Sequence, residues 1–291
     1  MGTHLSAPVT TSITPGTLYL VAVPIGNLGD ITYRAVETLQ SVDLIAAEDT
    51  RDFRELQRAY GITTRVISYH DHNEQSRSRE LLDRLLAGES VAIVSDAGTP
   101  LINDPGFRIV NAAIEAGVPI TSLPGPSAIT TALAAAGLPT SSFLYLGYPP
   151  RTASKRRAFF TTHARQTATL VFYEAPHRLL ATVTDLLDTL GDRPACLARN
   201  LTKPHERYQR GPLSTLLAEL TAEETIRGEA TVLVSGATGD EPEDRTGIEE
   251  TITEMLAEGT DSRTILEHLM TEHGLKRREA YELILRGRDD G

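Results

Sequence analysis

Five short segments hold the side chains with chemical capacity: Pro24-Ile25-Gly26-Asn27-Leu28-Gly29-Asp30, Glu48-Asp49-Thr50-Arg51, His70-Asp71-His72-Asn73-Glu74, Asp96-Ala97-Gly98-Thr99-Pro100 and Pro124-Gly125-Pro126-Ser127. Their glycines allow a backbone to approach a ligand closely, and a carboxylate such as Asp96 can pair with a ligand amino group. Asp49, His72, Glu74, His205 and Glu206 are candidate proton acceptors, while Arg51, Arg178, Lys203 and the Arg151–Arg157 cluster are candidate phosphate holders. The His70–Glu74 run contains metal-ligand residue types, but it has neither a nearby cysteine nor histidines at helical spacing. It reads as acid–base or substrate contact, as a hydrogen-bonded loop, or less readily as a metal site. Gly26 and Gly29 do not complete Gly-x-Gly-x-x-Gly, and no Gly-Lys-Ser/Thr loop follows a strand. Dinucleotide binding and nucleotide hydrolysis are therefore disfavoured. Asp96 lacks the Asp-x-Asp spacing of a phosphatase nucleophile or magnesium ligand, because Ala97 and Gly98 follow it.

Each segment ends a run of apolar, β-branched residues, and these runs must position them. Strands are expected over 18–23, 42–47, 65–68, 90–95 and 118–123, with helices between them. Such alternation predicts a mostly parallel sheet covered on both faces, with the ligand crevice at the edge where all five loops emerge. The pattern changes near residue 142. Strands over 143–147, 168–173, 195–199, 207–211 and 230–235, with helices over 177–190 and 214–220, predict a second α/β domain. A Gly/Asp/Glu/Pro-rich linker spans 236–244, and three short helical patterns follow over 248–257, 262–272 and 277–285. These read either as a small helical cap or as a helix-turn-helix-like end. The expected organisation is a disordered tail over 1–15, α/β domains over 16–140 and 141–238, a linker over 239–247 and a helical region over 248–291.

Composition narrows the class. The chain has 291 residues, 40% of them hydrophobic, so it can bury a sizeable core. One cysteine, Cys196, excludes an internal disulfide framework and a cysteine-rich zinc site. No apolar stretch approaches the roughly 20 residues a membrane span requires, and a cytoplasmic protein without a membrane partner is expected. The net charge of −11 argues against coating nucleic acid by bulk electrostatics, so an RNA substrate would have to meet local patches such as Arg151–Arg157 or Lys276-Arg277-Arg278.

The same segments, extended to Gly16-Thr17-Leu18-Tyr19-Leu20-Val21-Ala22-Val23, Val94-Ser95, Tyr173-Glu174-Ala175-Pro176-His177-Arg178 and Ala198-Arg199-Asn200-Leu201-Thr202-Lys203-Pro204-His205-Glu206, resemble the tetrapyrrole-methylase superfamily. Within it they look like the bacterial branch that 2′-O-methylates a small-subunit ribosomal RNA cytidine. The likeness runs over roughly residues 16 to 236. One departure is visible, since Asn200 stands where the family leads one to expect a glutamate, and this puts a catalytic role there in doubt.

The resemblance implies an α/β fold of two tetrapyrrole-methylase-type domains with S-adenosylmethionine (SAM) in the cleft between them, plus a small C-terminal helical region. It implies cofactor contacts at Ile25, Gly26, Asp96, Gly98, Thr99, Ser127, Ala128, Tyr173 and Ala230, and no metal. The cleft residues expected to serve catalysis are Asp49, Arg51, His72, Asn73, Glu74 and Lys203, with Glu48 beside them. The expected substrate is a decoding-centre cytidine ribose of 16S rRNA in the small ribosomal subunit, and the expected assembly is a homodimer. Three rivals remain at this point: a tetrapyrrole or other small-molecule methylase, an RNA-binding module without activity, and a metal hydrolase.

Overall fold

The computed structural model describes residues 12–238, 245–272, 275 and 277–289. The expected tail up to residue 11, most of the expected linker, and Lys276 lie outside the described residues, as does the side chain of Arg278. Contacts divide the chain into two compact units, one ending at Ala237 and one beginning at Thr238.

The larger unit contains two five-stranded sheets. In the first, β1 (Leu18–Val21), β2 (Leu44–Ala47), β3 (Val66–Ser68), β4 (Val91–Val94) and β5 (Ile120–Leu123) run parallel in the order β3-β2-β4-β1-β5. Every residue of β2 and β4 is buried, as a central parallel strand with helices on both faces requires. At the edge, β5 exposes Thr121 and Ser122. The crossover helices are α1 (Tyr33–Ser41), α2 (Thr50–Tyr60), α3 (Glu74–Leu86) and α4 (Phe107–Glu115). One face packs Leu39, Phe53 and Leu56 from α1 and α2, and the other packs Leu81, Leu85 and Ile109 from α3 and α4.

The second sheet combines β6 (Phe143–Tyr145), β7 (Thr169–Glu174), β8 (Pro194–Arg199), β9 (Arg207–Pro212) and β10 (Ala230–Val234) in the order β6-β7-β10-β8-β9. Only β6 and β7 are parallel; the other pairs are antiparallel. Apolar periodicity finds such strands but does not reveal their direction, because both kinds of ladder bury the same faces. Helices α6 (Ala153–Thr162), α7 (Pro176–Leu190) and α8 (Leu213–Ala222) cover one face. The other face is covered by α5 (Ala128–Ala136), which follows the last strand of the first sheet and packs Ile129, Ala132 and Leu133 against Val171, Cys196, Ala198 and Leu233. Both sheets thus belong to one compact unit.

Between α6 and α7, Arg156 and Asp185 form a buried pair in which Nε at 2.8 Å and Nη2 at 2.6 Å both meet Oδ2. One member of the basic cluster therefore serves packing; Arg157 pairs with the other oxygen, Asp185 Oδ1, at 3.1 Å, while Arg151 and Lys155 remain exposed. The smaller unit is a set of three helices, α9 (Arg245–Ala257), α10 (Ser262–Glu272) and α11 (Arg277–Asp289), around Ile248, Ile252, Ile265, Leu269, Leu283 and Ile284. Among the described residues no helix is long and apolar enough to cross a membrane.

Candidate active site

A cavity of about 230 Å³ opens where the strand-end loops of the first sheet face β7, β10 and the β8–β9 loop of the second. Ile25 comes from the loop after β1, Glu48 from the end of β2, Asp96 to Thr99 from the loop after β4, and Ser127 and Ala128 from the start of α5. Opposite them stand Tyr148, Tyr173, Ala198, Asn200, Lys203, Glu229, Ala230 and Thr231.

Backbone chemistry fixes this rim. Val23 and Gly98 exchange both N–H···O bonds, at 2.9 and 3.0 Å, which folds the loop after β4 back onto the end of β1. Gly98 takes φ +78°, a conformation that costs a side-chain-bearing residue energy, and a β-carbon there would stand 3.4 Å from Ile25 Cγ2. The Thr99 hydroxyl donates to Pro126 O at 3.2 Å, tying that loop to the loop after β5. On the other side, Asp96 Oδ1 accepts the Asp49 backbone N–H at 2.8 Å. Adjacent strands β4 and β2 thereby place two carboxylates, Asp96 and Glu48, side by side.

The site is acidic. Glu48, Asp96, Asp104 and Glu229 all line it, against the single ammonium of Lys203, whose Nζ lies 3.3 Å from Glu229 Oε2. Burial first, then the neighbouring Asp96 charge, raises the Glu48 carboxyl above its ordinary value, and burial likewise raises Asp96. The Asp104 carboxyl is pushed up to about 7, by burial and then by the charge of Glu48. Tyr145, Tyr148 and Tyr173 form an aromatic group beside these carboxylates, with ring centroids 5.3 and 5.6 Å apart. Burial pushes the Tyr173 phenol up to about 12, so it stays protonated.

Such a lining suits a cationic ligand with an apolar body and repels phosphates. SAM has this character, since it carries an α-ammonium and a sulfonium on a largely apolar adenosine body. Among the described residues no group of three or more His, Cys, Asp or Glu side chains is placed to hold a metal ion.

Of the expected cofactor contacts, Ile25, Asp96, Gly98, Thr99, Ser127, Ala128, Tyr173 and Ala230 line the cavity. Gly26 lines an adjoining hollow with Asp52, Phe53 and Lys203. The expected catalytic residues separate. Lys203 and Glu48 line the cavity; Asp49 caps α2 and pairs with Arg51, whose side chain is 79% exposed at the rim. That pairing holds the Asp49 carboxyl far below its usual range. His72 is exposed, with its ring 6.0 Å from that of His70. Asn73 and Glu74 build loops: Asn73 Oδ1 accepts the His70 N–H at 2.9 Å, and Glu74 Oε1 accepts the N–H groups of Gly106 and Arg108 at 3.0 and 3.3 Å. The His70–Glu74 segment follows β3, an edge strand one position further from β4 than β2 is, so it borders the cavity without lining it.

Arg178 is committed as well. It donates to Pro149 O and Pro150 O at 2.6 and 3.1 Å and pairs with buried Glu174. Glu206 accepts the Thr202 N–H, closing the loop from which Lys203 projects, while His205 is exposed on it. Sequence reasoning missed Asp104, Tyr148, Glu229 and Thr231. The signal for Asp104 was present in the polar run Asn103-Asp104-Pro105-Gly106, directly after a segment already marked as a site.

The model of the tetrapyrrole (corrin/porphyrin) methylases matches residues 17–217. The chain is 49% identical over 270 residues to ribosomal RNA small subunit methyltransferase I of Micromonospora olivasterospora, covering 92% of this chain and 86% of that protein. It is 46% identical over 282 residues to the protein of the same name from Synechocystis sp., covering 95% of this chain and 100% of that one. Among solved structures, diphthine synthase superposes with a TM-score of 0.55 at 16% identity, over 75% of this chain and 90% of that one. The uroporphyrin-III-C-methyltransferase of Thermus thermophilus gives 0.52 at 21% identity, over 76% and 94%. These two likenesses concern the fold alone.

Proposed function

Because the chain belongs to the tetrapyrrole methylase family, we propose that it uses the cavity between its two sheets to methylate small-subunit ribosomal RNA, at the 2′-hydroxyl of a decoding-centre cytidine. The enzyme is SAM-dependent, like the family and the rRNA methyltransferases it resembles. The RNA substrate is carried over from relatives 46–49% identical over nearly the whole chain. The observation that carries the chemistry is the acidic, tyrosine-flanked cavity, whose lining includes eight of the nine expected cofactor positions.

SAM, when bound, supplies an electrophilic methyl group on a cationic sulfur. The protein's own part is to align a ribose oxygen with that methyl, since positioning supplies much of the rate of an in-line displacement. Ile25, Gly98, Ser127 and Ala128 would seat the cofactor's body, with Tyr173 and Ala230 closing the opposite wall. Asp96 and Glu48 would meet its cationic groups. Lys203, with Arg51 and Asp49 at the rim, would face the RNA backbone, and the exposed Arg151 and Lys155, beside Asp185-paired Arg157, would extend a basic track for phosphates. His72, Asn73 and Glu74 would shape the border of the cleft on the RNA side.

The test is transfer of labelled methyl from SAM to small ribosomal subunits that lack the modification, with the wild type beside Asp96→Ala and with mapping of the labelled nucleotide. Label on one decoding-centre cytidine ribose, lost in the variant, supports the reading. A wild type that binds SAM but labels no ribosomal RNA overturns the substrate and favours a small-molecule methylase. Homodimer formation belongs to the same proposal. The exposed Phe107 and Ile114, two turns apart on α4, form an apolar face for a second copy, and sedimentation of the full chain checks it.

A further inference from the structure

Asp104 is not among the residues that the sequence marks as functional, yet the fold takes pains to place it. The segment before it includes two non-glycine residues in the left-handed region, Leu101 at φ +70° and Asn103 at φ +76°, and Gly106 follows at φ +138°. Each such residue costs energy, and conformations of this kind persist where surrounding structure enforces them. Here the enforcement is visible. Leu101 side-chain atoms fill the space over Gly106, Glu74 holds the Gly106 N–H, and Asn103 Oδ1 lies 3.0 Å from the point where Gly147 would carry a β-carbon. The result puts Asp104 on the cavity wall at the junction between the two sheets.

No cation pairs with Asp104 among the described residues. The groups that act on it are Glu48 after β2, Asp71 after β3 and Asp96 after β4, whose charges oppose its own, and Ser95, whose hydroxyl favours it; the Asp104 charge in turn reaches the phenols of Tyr145 on β6, Tyr148 after it and Tyr173 on β7. Lys203 and Glu229 share the same cavity. It is a half-buried carboxylate among carboxylates, so its charge is opposed by burial and by Glu48, Asp96 and Asp71.

We propose that Asp104 is the proton acceptor of the methyl transfer and that its protonation is coupled to the charge of a sulfonium bound in the cavity it lines. The proposal rests on the SAM-dependent methylation argued above. Methylation of a hydroxyl forms an O–C bond and breaks an S–C bond whose electron pair stays on sulfur; the hydroxyl loses its proton, and the sulfonium charge disappears. While that charge is present it stabilises the Asp104 carboxylate, keeping it a competent base. Once it is gone, the proton of the ribose hydroxyl replaces it as the positive charge in an acidic cavity, and Asp104 is where it rests. The affinity for a proton near neutrality that the free site gives Asp104 is what this exchange requires.

The coupling can be read without RNA. Calorimetric titration of the full chain with SAM near neutral pH, in two buffers of different ionisation enthalpy, is expected to show release of a substantial fraction of a proton, and less with S-adenosylhomocysteine. Asp104→Asn should abolish that release. In single-turnover transfer to modification-deficient subunits, the wild-type rate should rise with pH to a plateau. Asp104→Asn should run on the order of 10²–10⁴-fold slower without that limb, and Asp104→Glu should restore part of it. Proton release unchanged in Asp104→Asn, or transfer at the wild-type rate and pH profile, would overturn the assignment. If neither variant folds, the wild type decides alone: SAM affinity should strengthen with rising pH up to about 7 and then level, and a flat profile refutes the coupling. Failure of the wild type to label RNA, with proton release intact, would remove the RNA substrate and leave Asp104 standing.

Discussion

Lys203 lies over Gly26 so closely that a β-carbon on the glycine would stand 2.4 Å from Lys203 Cγ and 2.7 Å from its Cε. The lysine projects from a loop of the second sheet, and the glycine belongs to a loop of the first. Their approach lays one ammonium across a cavity otherwise lined by carboxylates, and it does so only because residue 26 has no side chain.

Gly26→Ala should therefore displace Lys203 rather than unfold the protein. RNA methylation is expected to fall on the order of 10–100-fold, the range seen when a positioning contact moves by an ångström, with a melting temperature close to wild type. Lys203→Met keeps the stem and removes the charge; a similar loss there would assign the effect to the ammonium.

Asp96 has two tasks, accepting the Asp49 N–H and lining the cavity. Asp96→Asn leaves an acceptor for the amide and takes away the charge. SAM should bind about 10-fold or more weaker, as expected for loss of a charge-assisted hydrogen bond, and calorimetry measures it. Equal SAM affinity in the variant would contradict an Asp96 contact with a cationic group.

Removing Asp185 strands Arg156, which the pair holds in the interior at 4% exposure. Asp185→Ala should cost about 3–5 kcal/mol of stability, the usual result of leaving a buried charge unpaired. Urea unfolding reports it. SAM affinity per folded molecule should hold, because Arg156 and Asp185 lie on α6 and α7 and neither lines the cavity.

The Asp104 carboxyl is held up to about 7 in the folded protein, against an ordinary 3.8. Between those values the folded state binds more protons than the unfolded chain, so this group lowers stability as pH rises through the window. Asp104→Asn removes that penalty. The variant should melt higher than wild type near pH 8, by on the order of 2–4 °C, and the difference should vanish as pH falls toward about 4. Melting curves at both pH values check the sign.

Much of the first sheet was legible because each buried parallel strand is a continuous apolar run that stops at a glycine or carboxylate, as Val91–Val94 stops before Ser95 and Asp96. Strand order is a different matter. His70–Glu74 reads as a strand-end site equal to the others, but β3 occupies the sheet edge, and its loop spends Asn73 and Glu74 on backbone amides. Asp104 went unmarked for the opposite reason: its place depends on left-handed Leu101 as well as Asn103, and a leucine does not announce that conformation. Tyr148 and Glu229 reach the cavity only through the packing of the second sheet, which no local pattern encodes.

The helix that begins at the cavity rim with Ala128 and ends beneath β8 and β10 belongs to one half by sequence and to the other by packing. A gene cut near residue 140, where composition suggests a seam, would yield a fragment with an oily helix and nothing to rest it on, and another with a bare sheet face. The two halves are thus not interchangeable modules. Swapping either for that of a relative succeeds only if the helix travels with the sheet it covers, and this ties the evolution of the RNA-facing wall to that of the cofactor loop from which the helix starts.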